Sequence, residues 1–401
     1  MRVTTTTTVV SVGARGSRDG LEEMYLSISN VSGTTNLPAD GGATSMKTAT
    51  NGGSETGETV RIGLNGFGRV GRCLLRASLT HDDIDIVAIN DVMDDDDMEY
   101  LLRYDSVHGR LEGISRRGNS LFVDDQEFQL LSEREPSELP WDDLDIDIAF
   151  EATGLFRTRE EVTQHLEAGA DKAIISAPPK GEEPVPMFVY GVNHGEYDGD
   201  DVVSNASCTT NSVAPVLQVL DDRFDVVSGL LTTVHAYTGS QSLVDGPMDK
   251  RRRGRAAAEN IVPTTTGAAG ATSEVLPEFE GKLEGMAMRV PVPNGSITDI
   301  TVNIQEDVHR EDVIEAIRAA ADDELAGVLG YTDDEIVSRD IVGLPLASYV
   351  DLESVMVAAN DTVKVLAWYD NEYGFSNQLL KLAKHVASES ESIDAGRTVV
   401  H

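Results

Sequence analysis

Val60-Arg-Ile-Gly-Leu-Asn-Gly-Phe-Gly-Arg-Val-Gly-Arg-Cys-Leu-Leu-Arg-Ala-Ser-Leu79 decides how this chain is read. A short apolar strand, Val60 to Leu64, runs into Gly66, Gly68 and Gly71, and Val70, Leu74, Leu75 and Leu79 then recur at helical spacing. In a strand–turn–helix of this kind the first glycine permits the tight turn. The second lets backbone approach a pyrophosphate, and the third packs helix against strand. A second strand, Ile84 to Ile89, ends at Asn90 and Asp91, at about the 20-residue distance where a carboxylate meets the adenosine ribose hydroxyls. That carboxylate suits NAD, because a 2′-phosphate would meet its negative charge.

Downstream, strand patterns at Ser120 to Val123, Phe128 to Leu131, Ile146 to Phe150 and Ala173 to Ser176 alternate with helical stretches such as Glu160 to Ala168. The alternation predicts an α/β fold: a Rossmann-type, doubly wound, largely parallel sheet. Loops after such strands line the cofactor crevice, so Thr153 and Ser176 are expected on its nicotinamide side. The run Asp94 to Asp97 reads as a solvated surface loop.

The pattern changes at Ser204-Asn-Ala-Ser-Cys-Thr-Thr-Asn211, where Cys208 precedes an apolar run at helical spacing. A thiol at a helix N-terminus meets unpaired N–H groups and the positive end of the helix dipole, which favour thiolate. Thr209, Thr210 and Asn211 add donors for an oxyanion or phosphate. Longer β segments follow, Val226 to Thr233, Val290 to Gln305 and Val363 to Trp368, with a helix carrying Val313, Ile314, Ile317, Ala321 and Leu325 between them. They predict a second, α+β domain with a mainly antiparallel sheet.

His235 ends an apolar strand, where an imidazole can raise the thiolate fraction and take the proton lost when a hemithioacetal collapses. Arg289, a charge in apolar surroundings, needs an anionic partner, either a substrate phosphate or a structural carboxylate. Thr238, Thr266 and Gly267 offer further donors for phosphate oxygens.

The chain has 401 residues, 69 acidic against 32 basic, and a formal charge of −37. Such self-repulsion destabilises a fold at low salt and is screened at molar salt, where the Debye length is about 3 Å, so a high-salt cytoplasm is expected. The same sign of charge disfavours nucleic acid as a primary partner, and Lys250 to Arg255 is expected to form internal or subunit salt bridges. No apolar run approaches a membrane span. The two cysteines, Cys73 and Cys208, have no zinc spacing and suggest no metal; Cys73 reads as core filling. Residues 1–57, rich in Thr, Ser, Gly and Asn, read as a disordered tail. Residues 58–207 form the expected cofactor domain and 208–370 the catalytic domain.

The segments SNASCTTN, NGFGRVGR, VAIND, EATG, ISAP, VYGVNH, TTVHAYT, RAAAENIVPTTTGAAG, GMAMRVPVPNGS and WYDNEYGFSNQ occur in this order. Together, over about Glu58 to Ser388, the chain resembles the phosphorylating glyceraldehyde-3-phosphate dehydrogenases of bacteria and eukaryotes. The resemblance implies oxidation of glyceraldehyde 3-phosphate with NAD to 1,3-bisphosphoglycerate. Cys208 would be the nucleophile and His235 the base. Thr238 and Arg289 would hold the substrate's phosphate, and Ser207, Thr209, Thr266 and Gly267 the attacking inorganic phosphate. It implies cofactor contacts at Gly66, Gly68, Arg69, Val70, Gly71, Asp91, Arg134, Ser176 and Asn371, the last fixing the nicotinamide carboxamide. It also implies a C-terminal helix, about 371–390, that returns to the cofactor domain, a cytoplasmic homotetramer, and a loop from Tyr237 to Asn260 reaching between subunits. A relative acting on erythrose 4-phosphate and a non-catalytic binding protein share the same scaffold.

Overall fold

The computed structural model describes residues 6–16, 22–32 and 59–398. Strands β1 (Thr6–Gly16) and β2 (Glu22–Ser32) pair antiparallel, within the stretch expected to be a disordered tail. The Thr and Val residues of β1 are β-branched and favour extended backbone. The rest of residues 1–57 lies outside the described residues.

From Gly57 onward the chain is one compact unit. Its first half contains β3 (Val60–Asn65), α1 (Arg69–Ser78), β4 (Ile84–Asn90), α2 (Asp95–Arg103), β5 (Ile114–Arg117), β6 (Ser120–Val123), β7 (Gln126–Leu131), β8 (Ile148–Glu151), α3 (Arg159–Glu167), β9 (Lys172–Ile175) and β10 (Val202–Ser204). The sheet runs β10-β9-β8-β3-β4-β7-β6-β5. Its strands are parallel from β10 through β7 and antiparallel across the β7-β6-β5 edge. Strand order reverses at β3, which lies between β4 and β8. This is the switch point at which such sheets bind ligands beyond their C-terminal ends.

The aspartate run read as a loop begins α2 instead. Asp94 occupies the N-cap position, and Asp95, Asp96 and Asp97 form the first turn. Three carboxylates there complement the positive end of the helix dipole.

The second half contains α4 (Cys208–Phe224), β11 (Val226–Ala236), β12 (Val262–Thr265), α5 (Ala268–Val275), β13 (Leu283–Val290), β14 (Ser296–Ile304), α6 (Arg310–Asp322), β15 (Leu329–Thr332), β16 (Ser348–Ala358), β17 (Thr362–Tyr369) and α7 (Tyr373–Thr398). Its sheet is ordered β12-β13-β11-β14-β17-β16-β15. It is antiparallel apart from the β11–β13 and β15–β16 pairs. The single segment expected from Val290 to Gln305 is two elements. Gly295, at φ +90, sits in the turn that separates them, and Arg289 falls on β13.

Helix α7 packs against α1 and β3. Its Leu379, Leu382, Ala383 and Val386 join Ile62, Leu64, Leu74 and Leu75 in one core. The glycine turn seats α1 on that core. A Cβ on Gly71 would overlap the Gly66 carbonyl oxygen, and one on Gly66 would overlap the backbone of Ala152 and Thr153. Because the obstacle is backbone, Gly71→Ala should lose about 2 kcal/mol or more of stability and weaken dinucleotide binding. Urea melts together with a cofactor titration measure both effects.

Candidate active site

β10 ends at Ser204, and Ala206 takes left-handed backbone at φ +55 to turn the chain into α4. Ser207 is the N-cap, its Oγ accepting from Thr210 N at 3.0 Å. Asn211 Nδ2 ties the turn by donating to Asn205 O at 2.7 Å and Ser207 O at 3.0 Å. Cys208 is thereby the first residue of the helix and is partly exposed.

Its Sγ lies 3.5 Å from His235 Nε2. His235 is buried near the end of β11, with Tyr369 edge-on at a ring separation of 5.9 Å. The Tyr369 hydroxyl bridges Thr209 Oγ1 at 2.9 Å and Thr233 Oγ1 at 2.7 Å. The Thr209 side chain therefore faces this buried phenol. Arg289 on β13 is the direct cross-strand partner of His235. Its Nη1 stands 2.8 Å from His235 Nδ1 and donates to Ala236 O at 2.9 Å.

Burial pushes the Cys208 thiol up, and the opposing pulls of Arg289 and Thr209 do not reverse it. This corrects the expectation of a thiolate set by the helix terminus alone. Burial also pushes His235 down to about 3, with Arg289 adding to the effect.

Thr238 follows β11, its hydroxyl 2.8 Å from Ser240 Oγ. Thr266 Oγ1 accepts from Ala268 N at 3.1 Å, and Gly267 is the N-cap of α5, which packs on α4. The stretch Lys250 to Arg255, expected to form internal or subunit salt bridges, makes one such internal pair among the described residues, at Arg255. Lys250 donates to Thr265 Oγ1 at 2.8 Å and Arg253 to Thr264 Oγ1 at 3.0 Å. In that stretch Arg255 pairs with Asp245.

Asn371 is joined to the pair through Ser296. The Ser296 Oγ accepts from Ala236 N at 3.1 Å and donates to Asn371 Oδ1 at 2.8 Å. Asn371 is then left with its amide N–H groups to offer. Sequence reasoning missed Ser296, Tyr369 and Asp370. Asp370 Oδ1 accepts from Glu372 N, Tyr373 N and Asn294 Nδ2, which holds the turn carrying Asn371. Tyr369 and Asp370 lie inside the WYDNEYG segment, but the Thr209 and Thr233 partners of Tyr369 and the Asn294 partner of Asp370 are far away in the chain.

Apart from Asn371, the residues expected to contact the cofactor follow the C-terminal ends of β3, β4, β7, β8 and β9. No atom lies within 4 Å of where a Cβ on Gly68 would stand, and this residue begins α1 without a side-chain cap. That leaves free N–H groups over an open cradle, which fits a pyrophosphate. Val70 is half-buried on the first turn. Asp91 Oδ2 accepts from Phe67 N at 2.6 Å and Oδ1 from Met93 N at 2.9 Å, so its carboxylate is fixed beside the glycine loop. Thr153 N donates to Glu151 Oε1 at 2.8 Å, and Ser176 Oγ donates to Glu151 O at 2.9 Å. Arg134 is exposed.

The Arg69 side chain turns away from this cradle. Its Nε donates to Glu372 Oε1 at 2.8 Å and its Nη1 to Asp105 Oδ2 at 2.5 Å. Burial pushes Asp105 up, but Arg69 and the His108 and Val107 amides overcome this and hold it at about 2. Cys73, His108 and Glu372 bring potential ligand atoms within 4.8 Å of one another, although the Glu372 oxygens are already engaged by Arg69 and His108. Cys73 is buried in the core, where burial pushes its thiol well up.

Residues 60–159 match the family model described as glyceraldehyde 3-phosphate dehydrogenase, NAD binding domain, and residues 207–371 match its C-terminal domain. The chain is 62% identical over 331 residues to the glyceraldehyde-3-phosphate dehydrogenase of Haloarcula vallismortis, covering 82% of this chain and 98% of that protein. It is 49% identical over 333 residues to the enzyme of that name from Geobacillus stearothermophilus, covering 82% and 99%. It is 47% identical over 331 residues to glyceraldehyde-3-phosphate dehydrogenase A of Escherichia coli strain K12, with the same shares. With the two halves matched in order around a paired cysteine and histidine, the chain belongs to the glyceraldehyde-3-phosphate dehydrogenase family.

Proposed function

We propose that this chain oxidises glyceraldehyde 3-phosphate in the presence of NAD and inorganic phosphate, releasing 1,3-bisphosphoglycerate. The observation that carries the reading is the 3.5 Å approach of Cys208 Sγ to His235 Nε2 at a helix N-terminus. His235 takes the Cys208 proton as sulfur adds to the aldehyde carbon and returns it to the new C–O⁻, giving the hemithioacetal. His235 takes the hydroxyl proton as the carbonyl re-forms. NAD, when bound, supplies the acceptor for the hydride. A phosphate oxygen then attacks the thioester carbon, the C–S bond breaks, and the sulfur leaves as thiolate. Its proton returns from His235, and the proton of the attacking hydrogen phosphate passes to solvent.

Under this proposal Thr238 and Arg289 hold the substrate's phosphate. Ser207, Thr209, Thr266 and Gly267 hold the attacking one. Gly66, Gly68, Val70, Gly71, Asp91, Arg134, Thr153, Ser176 and Asn371 contact NAD, and Arg69 does so through its backbone. The cofactor domain ends at about Ser207.

A cytoplasmic homotetramer belongs to the same proposal. Supporting assembly, Val227 and Leu230 on β11 are 53% and 65% exposed, Met356 on β16 is 58% exposed, and Leu243 in the loop after β11 is 79% exposed. Among the described residues no helix is long and apolar enough to cross a membrane.

The test is steady-state NADH formation at molar KCl. It compares glyceraldehyde 3-phosphate with erythrose 4-phosphate, NAD with NADP, and assays with and without phosphate. The expected outcome is phosphate-dependent turnover of glyceraldehyde 3-phosphate, at least tenfold better with NAD. Phosphate-independent NADH formation would remove the acyl-phosphate step, and an NADP preference would remove the role given to Asp91. Light scattering in the same buffer should return four chain masses.

A further inference from the structure

Neighbouring strands of the first sheet end in polar side chains that bond to one another. The register sets Asn65, the last residue of β3, beside Asn90, the last of β4, and beside Glu151, the last of β8. All three are buried. Asn65 Nδ2 donates to Glu151 Oε2 at 2.7 Å, and Asn65 Oδ1 accepts from Asn90 Nδ2 at 2.8 Å. Asn90 then grips the backbone of Glu133, just past β7: its Oδ1 accepts from Glu133 N at 2.7 Å and its Nδ2 donates to Glu133 O at 2.9 Å. At the other end Glu151 Oε1 accepts from both the backbone N and the hydroxyl of Thr153. Behind the carboxylate lies His165 of α3, fully buried like Trp141. The Trp141 indole can only donate, and it does so to His165 Nδ1 at 3.1 Å, so the ring proton sits on Nε2, 3.4 Å from Glu151 Oε2.

We propose that Asn65, Asn90 and Glu151 are positioning residues: a buried hydrogen-bonded row that sets the loops on the adenosine and nicotinamide sides of the crevice as one unit. Each link adjoins a residue read as touching the dinucleotide. Asn65 precedes Gly66, Asn90 precedes Asp91, Glu133 precedes Arg134, and Thr153 is itself such a residue. The proposal rests on that reading of Gly66, Asp91, Arg134 and Thr153.

The row has a fixed direction. A carboxylate only accepts, so Glu151 turns Asn65 Nδ2 towards itself. That turns Asn65 Oδ1 to Asn90 Nδ2 and leaves Asn90 Oδ1 for Glu133 N. Reversing any one amide would set N–H against N–H at the next link, so the side chains move together or not at all. Because the bonds are complete without a ligand, the crevice is already shaped when the dinucleotide enters, and less ordering has to be met from binding. A cut in the middle of the row therefore loosens both ends, including backbone that the altered residue never touches.

The test cuts the row with Asn65→Ala in the full chain at molar KCl. Amide hydrogen exchange of the ligand-free protein is followed at Glu133 and Thr153, and calorimetry measures NAD and ADP-ribose, which lacks only the nicotinamide. Exchange at both amides should speed up by about tenfold or more. NAD and ADP-ribose should each bind about tenfold more weakly, with the KM for NAD rising alike and the KM for the aldehyde held within about twofold. Adding Asn90→Ala to Asn65→Ala should cost little more than the worse single change, because the row is already broken. Should Asn65→Ala not fold, Asn90→Ala must speed exchange at Thr153, which Asn90 does not touch. Exchange unchanged at the far amide, or losses in affinity that simply add in the double variant, overturns the row as a unit. Failure of the wild type to bind NAD and ADP-ribose overturns the cofactor reading instead.

Discussion

The Cys208→Ser enzyme, assayed at molar salt with saturating substrates, is expected to lose at least about 10³-fold in kcat. A serine hydroxyl is a far weaker acid than a thiol and is not appreciably ionised at neutral pH, even beside an imidazole that can take a thiol's proton. Oxygen is smaller than sulfur and Cys208 is partly exposed, so the melting temperature should barely move. His235→Asn should slow turnover by about 10²- to 10⁴-fold, the range for loss of a positioned general base. Asparagine can still bond Ala236 O, so this variant should fold. Single-turnover kinetics should show hydride transfer as the slowed step. Ordinary turnover in Cys208→Ser would remove the covalent mechanism altogether.

Salt withdrawal is the second large effect. Of the carboxylates behind the −37 charge, Asp94, Asp96, Asp97, Glu182, Glu183, Glu306, Asp307 and Asp333 to Glu335 are exposed. At about 0.1 M salt the Debye length is ~10 Å, so neighbouring acidic groups repel through solvent. At about 1 M it is ~3 Å and most of that repulsion is gone. The melting temperature should fall by about 10 °C or more as KCl is lowered from molar to about 0.1 M, and sucrose should not substitute for KCl. Circular-dichroism melts across that range provide the check. A flat profile would mean that the acidic surface is energetically idle.

Legibility in the sequence followed the range of the interactions. The glycine turn, α1, β4 and Asp91 span a short stretch and carry their own signatures, so this part of the cofactor domain could be read directly. Cys208 and Ser207 were legible because a helix start is local. β15 and β16 went unread because they lie at the far side of a sheet whose order departs from chain order. The Arg289–His235 contact depends on the β11–β13 register, which pairs residues 54 positions apart, and no local pattern encodes that. Arg69 illustrates the same limit. It sits in the fingerprint, yet its guanidinium is committed to Glu372, 303 positions away. The pull of the helix terminus on Cys208 was visible in the letters, whereas the burial that outweighs it is a property of the assembled core.

The placement of α7 carries a consequence for how the molecule is made. Leu379, Leu382 and Val386 emerge from the ribosome after the catalytic half, yet they complete the core under β3 and α1, which emerged long before. The nucleotide-binding half therefore waits with an uncovered apolar face until synthesis is almost over. Termination just before α7 would leave a chain with its whole catalytic sheet and an unfinished cofactor site.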